Sequence, residues 1–370
     1  MKILIAPDKF KGSLSAPEVC DAVADALREL DPTHEITKVP LADGGEGTFK
    51  ILLESSRGRI KKKSVPDPLM RPLLAEYGFS NDGTTAYIEM AKASGLQLLK
   101  ENERNPLHTS TIGTGELIVD ALNEGADNII LGIGGSATND AGIGMAHALG
   151  FRFLNKQNQI LSPVGGSLAE IDSMDDTNIH THLRKANFIV LCDVTNPLHG
   201  PQGAAFIYAT QKGASAKSVI TLDKGLKHFA DMANIFYGID LNFPGAGAAG
   251  GLGAGAKFFL NATFQRGIDY ISTLTGLENK IKNCDEVITG EGKVDEQTFS
   301  GKVVAHVVKL ANQYKKPVTI LCGQCPLSSR ELSDKGIKKI IVLAKNPFEA
   351  EEAMKEPVQM IKSKLRLEFS

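Results

Sequence analysis

What the sequence lacks narrows its class first. Its five cysteines, Cys20, Cys192, Cys284, Cys322 and Cys325, are few and odd in number for a chain of 370 residues, which excludes a disulfide scaffold and points to a reducing compartment. No apolar run approaches the roughly 20 residues of a membrane-spanning helix. The opening MKILIAPDKF is interrupted by Pro7 and Asp8 after an apolar run too short for a signal-peptide core. A cytoplasmic location is the expectation. Charge of one sign is also missing. With 41 basic against 43 acidic residues and a formal net charge of -2, nothing draws the whole chain to nucleic acid or membrane, and any basic patch must be local. Metal-ligand spacing is absent too: Cys322-x-x-Cys325 runs straight into Pro326 with no second pair for zinc, and His147, His199 and His306 stand singly.

What is present reads as an ordered α/β protein. Hydrophobic residues at 42% and charged ones at 23% are ordinary for a globular chain, while 37 glycines signal many tight turns. The length exceeds what one core usually supports, so two domains are expected. MKILIA reads as a buried strand. SAPEVCDAVADALREL spaces Val19, Ala22, Val23, Ala26, Leu27 and Leu30 as a helix, with Ser15 and Glu18 as a capping box, and EITKV reads as the next strand. The same rhythm returns near the end: DEVIT, a helix over GKVVAHVVKLANQY, PVTILC, a short helix over SRELSDKG, KKIIVLA, and a final helix from about Phe348 that Pro357 should kink or delay. Two terminal blocks of this kind most economically build one parallel sheet. The middle has short strands around Asp-Pro and Asn-Asp-Gly turns, then strands at DNIILGI and ANFIVLC and helices at GELIVDALNEG and SVITLDKGLKHFADMANIF, and reads as an inserted mixed α/β domain. The expected division is 1–62 plus 257–370 for the discontinuous domain and 63–256 for the insertion.

Five segments interleave small residues with single charged ones: APDKFKGSLSA (6–16), PLADGGEGT (40–48), GIGGSATNDAGIG (132–144), PGAGAAGGLGAGAK (244–257) and TGEGKVDEQTFSGK (289–302). Glycines permit positive φ and let a ligand approach backbone N–H groups, and strand-to-helix loops are where α/β folds hold phosphate. The last segment is not a P-loop, since Val303 follows Gly301-Lys302 and Glu296 stands where the first glycine belongs. GIGGSA has the wrong spacing for a dinucleotide fingerprint, and the first strand is followed by no glycine-rich turn, which argues against a nicotinamide dehydrogenase. Lys9, Lys11, Lys257, Lys293 and Lys302 supply point charges suited to phosphate. Asp8, Asp43, Glu46, Asp140, Asp193, Glu291 and Asp295 supply the oxygens that Mg²⁺ prefers. Asp193 closes a buried strand, a position that suits either a turn-bonding aspartate or a general base.

APDKFKGSLSA, PLADGGEGT, GIGGSATNDAG, GAAGGLGAG and TGEGKVDEQTFSGK together closely resemble the bacterial glycerate kinases of glyoxylate, glucarate and galactarate catabolism, in order from Met1 to about Ala344. The resemblance implies an ATP- and Mg²⁺-dependent kinase that phosphorylates D-glycerate, usually to 2-phosphoglycerate, with two α/β domains, a discontinuous Rossmann-like one and an inserted one, and the site in the cleft between them. Distributed over such a reaction, the candidate residues take these roles. Asp193, Asp43 and Lys9 are catalytic, with Asp193 the preferred proton acceptor and Asp43 its alternative. Gly290, Gly292, Lys293, Gly301, Lys302, Gly250 and Gly251 hold ATP. Asp8, Lys11, Gly44, Gly45, Ser136 and Asn139 hold glycerate, and Asp295 and Glu291 hold Mg²⁺. A kinase for a related hydroxy acid such as tartronate or erythronate, and a non-catalytic sensor of small acids or nucleotides, are the rival readings. The density of lysines and acids in the loops favours catalysis over binding alone.

Overall fold

A computed structural model of the chain describes residues 1–45, 47–299 and 302–369. It divides into two compact units, Met1–Ser55 with Gly267–Ser370, and Ser56–Arg266. The chain opens with β1 (Lys2–Ile5), helix Ala16–Leu30, β2 (Glu35–Lys38) and helix Thr48–Ser55. The inserted unit carries β3 (Arg59–Pro66), β4 (Pro72–Phe79), β5 (Thr85–Glu89), β6 (Asn128–Gly132), β7 (Arg152–Leu154), β8 (Ser173–Asp175), β9 (Asn187–Leu191) and β10 (Thr263–Gln265). The discontinuous unit then resumes with β11 (Glu286–Lys293), β12 (Val318–Gln324) and β13 (Lys339–Val342), and closes with helices Pro347–Lys355 and Pro357–Phe369.

In the discontinuous unit β13-β12-β11-β1-β2 form one sheet, every neighbour parallel. β1 lies inside this sheet, and Ile3, Leu4 and Ile5 are accordingly all buried, as an interior parallel strand requires. Ile3, Ile5, Val19, Val23, Leu27, Ile288, Leu321, Ile341, Ile361 and Leu365 share one core. Each such side chain stabilises the fold by about 1.5 to 3 kcal/mol through burial. Helix Ala16–Leu30 starts where the sequence places it. The Ser15 N–H donates to the Glu18 carboxylate at 2.8 Å, and Pro17 sits in the first turn, where its missing donor costs nothing. Pro357 likewise ends one C-terminal helix and begins the next.

The inserted unit is a mixed sheet, β10-β9-β6-β5-β4-β3, with β3, β4 and β5 antiparallel and β5, β6, β9 and β10 parallel, beside a small β7-β8 ribbon. Two local expectations are corrected here. The segment TGEGKVDEQTFSGK is not all loop, because β11 continues through Gly290 and Gly292 to Lys293, paired with β12. Gly290 is glycine for packing: a Cβ there would lie 1.9 Å from the Leu321 carbonyl oxygen. Nor is PGAGAAGGLGAGA a loop throughout, since Ala248–Leu260 is a helix whose entry is bent by positive φ at Ala249, Gly250 and Gly251. Its glycines let it lie against residues 138–142, where a Cβ on Gly250 would meet the Thr138 carbonyl at 2.0 Å and one on Gly255 the Ala141 carbonyl at 2.2 Å. No helix among the described residues is long and apolar enough to cross a membrane.

Candidate active site

The carboxyl ends of the discontinuous unit's strands open onto a cavity of about 780 Å³. Asp8, Lys9, Lys11, Asp43, Gly45, Glu291, Gly292, Lys293, Asp295 and Lys302, all singled out in the sequence, line it. Strand continuation explains the convergence. Past β1 the Asp8 N–H donates to the Gly290 carbonyl at 2.8 Å, and the Pro7 carbonyl accepts from the Leu41 N–H at 3.0 Å, so Asp8 is gripped from both sides as the strand runs out. Asp43 follows Leu41 and turns the chain by accepting the Gly45 N–H at 3.1 Å, with Gly44 at φ +102°. Gly267 closes on this turn, since a Cβ there would meet the Gly44 Cα at 2.2 Å. Gly292 brings β11 up to the first loop, the nearest atom to a Cβ there being the Lys11 nitrogen at 3.4 Å. A second cavity of about 250 Å³ shares Asp8, Lys9, Phe10, Lys11 and Ser13 with the first and extends to Ser15, Gly47 and Lys50.

The carboxylates here are held unlike surface acids. Asp8 is 9% exposed, and its carboxylate accepts the Lys9 N–H at 2.7 Å. Burial drives its pKa from the ordinary 3.8 up to about 7; the Lys9 N–H opposes the rise, and the nearby charges of Asp43 and Glu291 add to it. Glu291 is also pushed up by burial, against the Thr298 hydroxyl and the Lys302 charge. Asp295 goes the other way: Lys293 at 3.2 Å and the Gln297 N–H at 3.0 Å hold it below the usual carboxylate range. A divalent cation fits this donor set on one observation, that Glu291 Oε1 is buried with no hydrogen-bond partner. Among the described residues no three His, Cys, Asp or Glu side chains converge as a metal site. The fit is therefore to Mg²⁺ carried on a polyphosphate, which needs only one or two carboxylates.

The other sequence candidates lie in the inserted unit, apart from Glu46 and Gly301, which fall outside the described residues. Asp193 is exposed just beyond β9. Ser136 and Asn139 belong to the turn after β6, and Asn139 is fully buried with neither its amide nitrogen nor its oxygen hydrogen-bonded. Gly250 and Gly251 are fully buried, with the packing role described above. One residue here escaped the sequence reading. Lys212, only 2% exposed, donates to Ser136 Oγ at 2.6 Å and to the Thr138 carbonyl at 2.8 Å, and burial lowers its pKa from 10.5 to about 7. Beside it Asp140 is fully buried and accepts from the Thr111 N–H and hydroxyl, each at 2.8 Å. Lys212 sits in TQKGAS without motif or spacing, so no sequence signal marks it. Cys322 is buried, Cys325 is half-buried, and both are free thiols, as are Cys20, Cys192 and Cys284.

Comparison with known proteins decides the family. The glycerate kinase family profile matches residues 3–366. The chain belongs to the glycerate kinase family. It is a phosphotransferase of that family, and its relatives match it along their length. A glycerate kinase of Bacillus cereus is 43% identical over 96% of this chain and 93% of its own. A glycerate 2-kinase of Escherichia coli is 45% identical over 87% of this chain and 85% of its own. Among solved structures, that of a candidate glycerate kinase 2 from Salmonella typhimurium LT2 superposes with a TM-score of 0.88 at 40% identity, covering 99% of this chain and 96% of that one.

Proposed function

We propose that this protein transfers the γ-phosphoryl group of Mg·ATP to a hydroxyl of D-glycerate, giving 2-phosphoglycerate and ADP. The observation that carries the reading is the cavity at the sheet's carboxyl ends, where Lys9, Lys11, Lys293 and Lys302 stand among Asp8, Asp43, Glu291 and Asp295. That combination suits a polyphosphate with its cation, and in phosphoryl transfer positioning and electrostatics supply most of the rate. Lys293, Lys302 and the backbone of Gly292 hold the phosphates, with Gly290, Gly301, Gly250 and Gly251 also assigned to ATP. Glu291 and Asp295 hold Mg²⁺, which when bound neutralises charge on the transferring phosphate. The smaller adjoining cavity is of a size for a three-carbon acid, and Lys11 and Asp8 face glycerate there, with Gly44 and Gly45 also assigned to it. Ser136 and Asn139 are assigned to the same substrate.

In the transfer the glycerate oxygen forms a bond to phosphorus, the bond from the γ-phosphorus to the ADP oxygen breaks, and the hydroxyl proton passes to a carboxylate. Asp193 is the acceptor assigned from sequence, with Asp43 as its alternative. The burial of Asp8 and its ionisation near neutral pH favour Asp8. Lys9 stabilises the charge that develops on the transferring group. Preference for the 2-position rests on the name of the Escherichia coli relative. Incubating the protein with ATP, Mg²⁺ and D-glycerate should release ADP, and NMR of the product should place the phosphate on carbon 2. Phosphate on carbon 3 would overturn the position, and no ADP release with glycerate would overturn the reading.

A further inference from the structure

The large cavity has two chemically distinct ends, and the function proposed above uses one. The strand order β13-β12-β11-β1-β2 sets their positions. Over β1 and β11 the lining is Asp8, Lys9, Lys11, Glu291, Lys293, Asp295 and Lys302. Over β12 and β13 it is Gly323, Gln324, Leu343 and Ala344, with Ala350, Ala353, Met354 and Pro357 above. Ala350, Ala353 and Met354 are spaced i, i+3 and i+4, which puts them on one face of helix Pro347–Lys355, and Pro357, which opens the next helix, lines the cavity beside them. That face is not spent on a core, since Ala350, Ala353 and Pro357 are half-buried and Met354 is 54% exposed. The main chain beneath is already satisfied: the Leu343 N–H donates to Cys322 and the Ala344 N–H to Gly323 at 2.8 and 2.9 Å. Among the described residues no charged side chain lines this end.

We infer that the β12–β13 end of the cavity, roofed by Ala350, Ala353, Met354 and Pro357, is the subsite for the purine ring of the nucleoside triphosphate. Three strand steps of about 4.8 Å separate β1 from β13, roughly 14 Å, a reach suited to a triphosphate and ribose between a charged end and an apolar one. Pockets for flat heteroaromatic groups are typically apolar in this way, with a few polar groups fixing orientation. Met354 carries the roof toward the loop that follows β1, its Cε lying 3.6 Å from where a Cβ on Gly12 would sit. Because Gln324 is the polar side chain that the described residues offer at the apolar end, the subsite grips the ring's faces more than its edges. GTP should then replace ATP with a KM within about tenfold.

The inference rests on the kinase reading, and one experiment separates the two. Ala353→Glu places a carboxylate on the roof without touching any residue assigned to catalysis. We expect its KM for ATP to rise at least tenfold while inhibition by inorganic tripolyphosphate, competitive with ATP, stays within twofold of wild type. Met354→Ala, a milder change on an exposed position, should raise the KM for ATP two- to fivefold with the same unchanged tripolyphosphate inhibition. It serves if the glutamate variant fails to fold. An unchanged KM for ATP in an active, folded variant, or parallel weakening of ATP and tripolyphosphate, overturns the subsite. A wild-type protein that makes no ADP with glycerate overturns the kinase reading instead.

Discussion

Replacing Asp8 by asparagine should make the protein more stable and less active, and the stability gain should depend on pH in a specific way. Asn keeps an oxygen for the Lys9 N–H and removes the charge. In the folded protein Asp8 releases its proton at about pH 7 instead of 3.8, so between these values the folded state binds more protons than the unfolded one. Stability contributed by the protonated form is complete below the unfolded pKa and is lost as pH rises through the folded one. The slope is about 1.4 kcal/mol per pH unit inside this window. The advantage of Asp8→Asn over wild type should therefore grow by about 2 to 3 kcal/mol between pH 5 and pH 7 and level off above. Urea unfolding of ligand-free wild type and variant at pH 5, 6, 7 and 8 measures the difference directly. A gain that is constant across these pH values would refute the claim that the buried carboxylate ionises near neutrality. If Asp8 is also the proton acceptor, turnover should fall roughly 10²- to 10⁴-fold with little change in ATP affinity. Asp193→Asn made alongside it should then remain near wild type.

Other expectations are simpler. Asp295→Asn and Glu291→Gln should raise the KM for Mg·ATP more than they lower turnover, with partial rescue by added Mg²⁺ seen in steady-state kinetics. Changing Cys322 and Cys325 together to alanine should leave activity within a few-fold, because burial raises both thiol pKa values and they belong to no metal-binding cluster among the described residues. Lys212→Met should remove a different slope. Wild-type stability gains up to about 1.4 kcal/mol per pH unit between about pH 7 and pH 10.5, where the unfolded lysine stays protonated and the folded one does not, and denaturation at pH 7.5 and 9.5 should show the variant lacking it. Gly250→Ala should destabilise the inserted unit measurably in thermal unfolding, since φ is +69° there and the added carbon meets the Thr138 carbonyl.

The parallel sheet was readable because its strands are short apolar runs alternating with 3.6-periodic helices, signals that need no tertiary context. MKILIA and helix Ala16–Leu30 with its Ser15–Glu18 cap are the clearest cases. Glycine was harder to read, because one residue type serves two purposes. Gly44, with its positive φ, is the turn-former the sequence suggests. Gly290 and Gly255 are small because another backbone lies against them, which only the partner strand or segment reveals. The same limit hid Lys212, whose burial depends on the turn at residues 136–138 folding around its ammonium, and the roof of the large cavity. Ala350, Ala353 and Met354 carry helical spacing, but the sequence does not say that the face opens on a cavity and not on a core.

The position of β1 inside its sheet has a consequence for synthesis. The Lys2 N–H ends on the carboxylate of Asp285, 283 residues away, and Ile3 pairs with Glu286. The first strand to leave the ribosome can find β2 at once, but its other edge stays open until more than three quarters of the protein has been made. Ser56–Arg266 is continuous and can collapse as it emerges. A nascent chain stalled before β11 therefore presents an ordered middle trailing an apolar strand with bare N–H and C=O groups, the kind of edge that pairs with other chains. Late closure of this kind predicts that C-terminal truncations ending before residue 286 aggregate through Lys2–Ile5, and that a shorter fragment beginning at Ser56 does not.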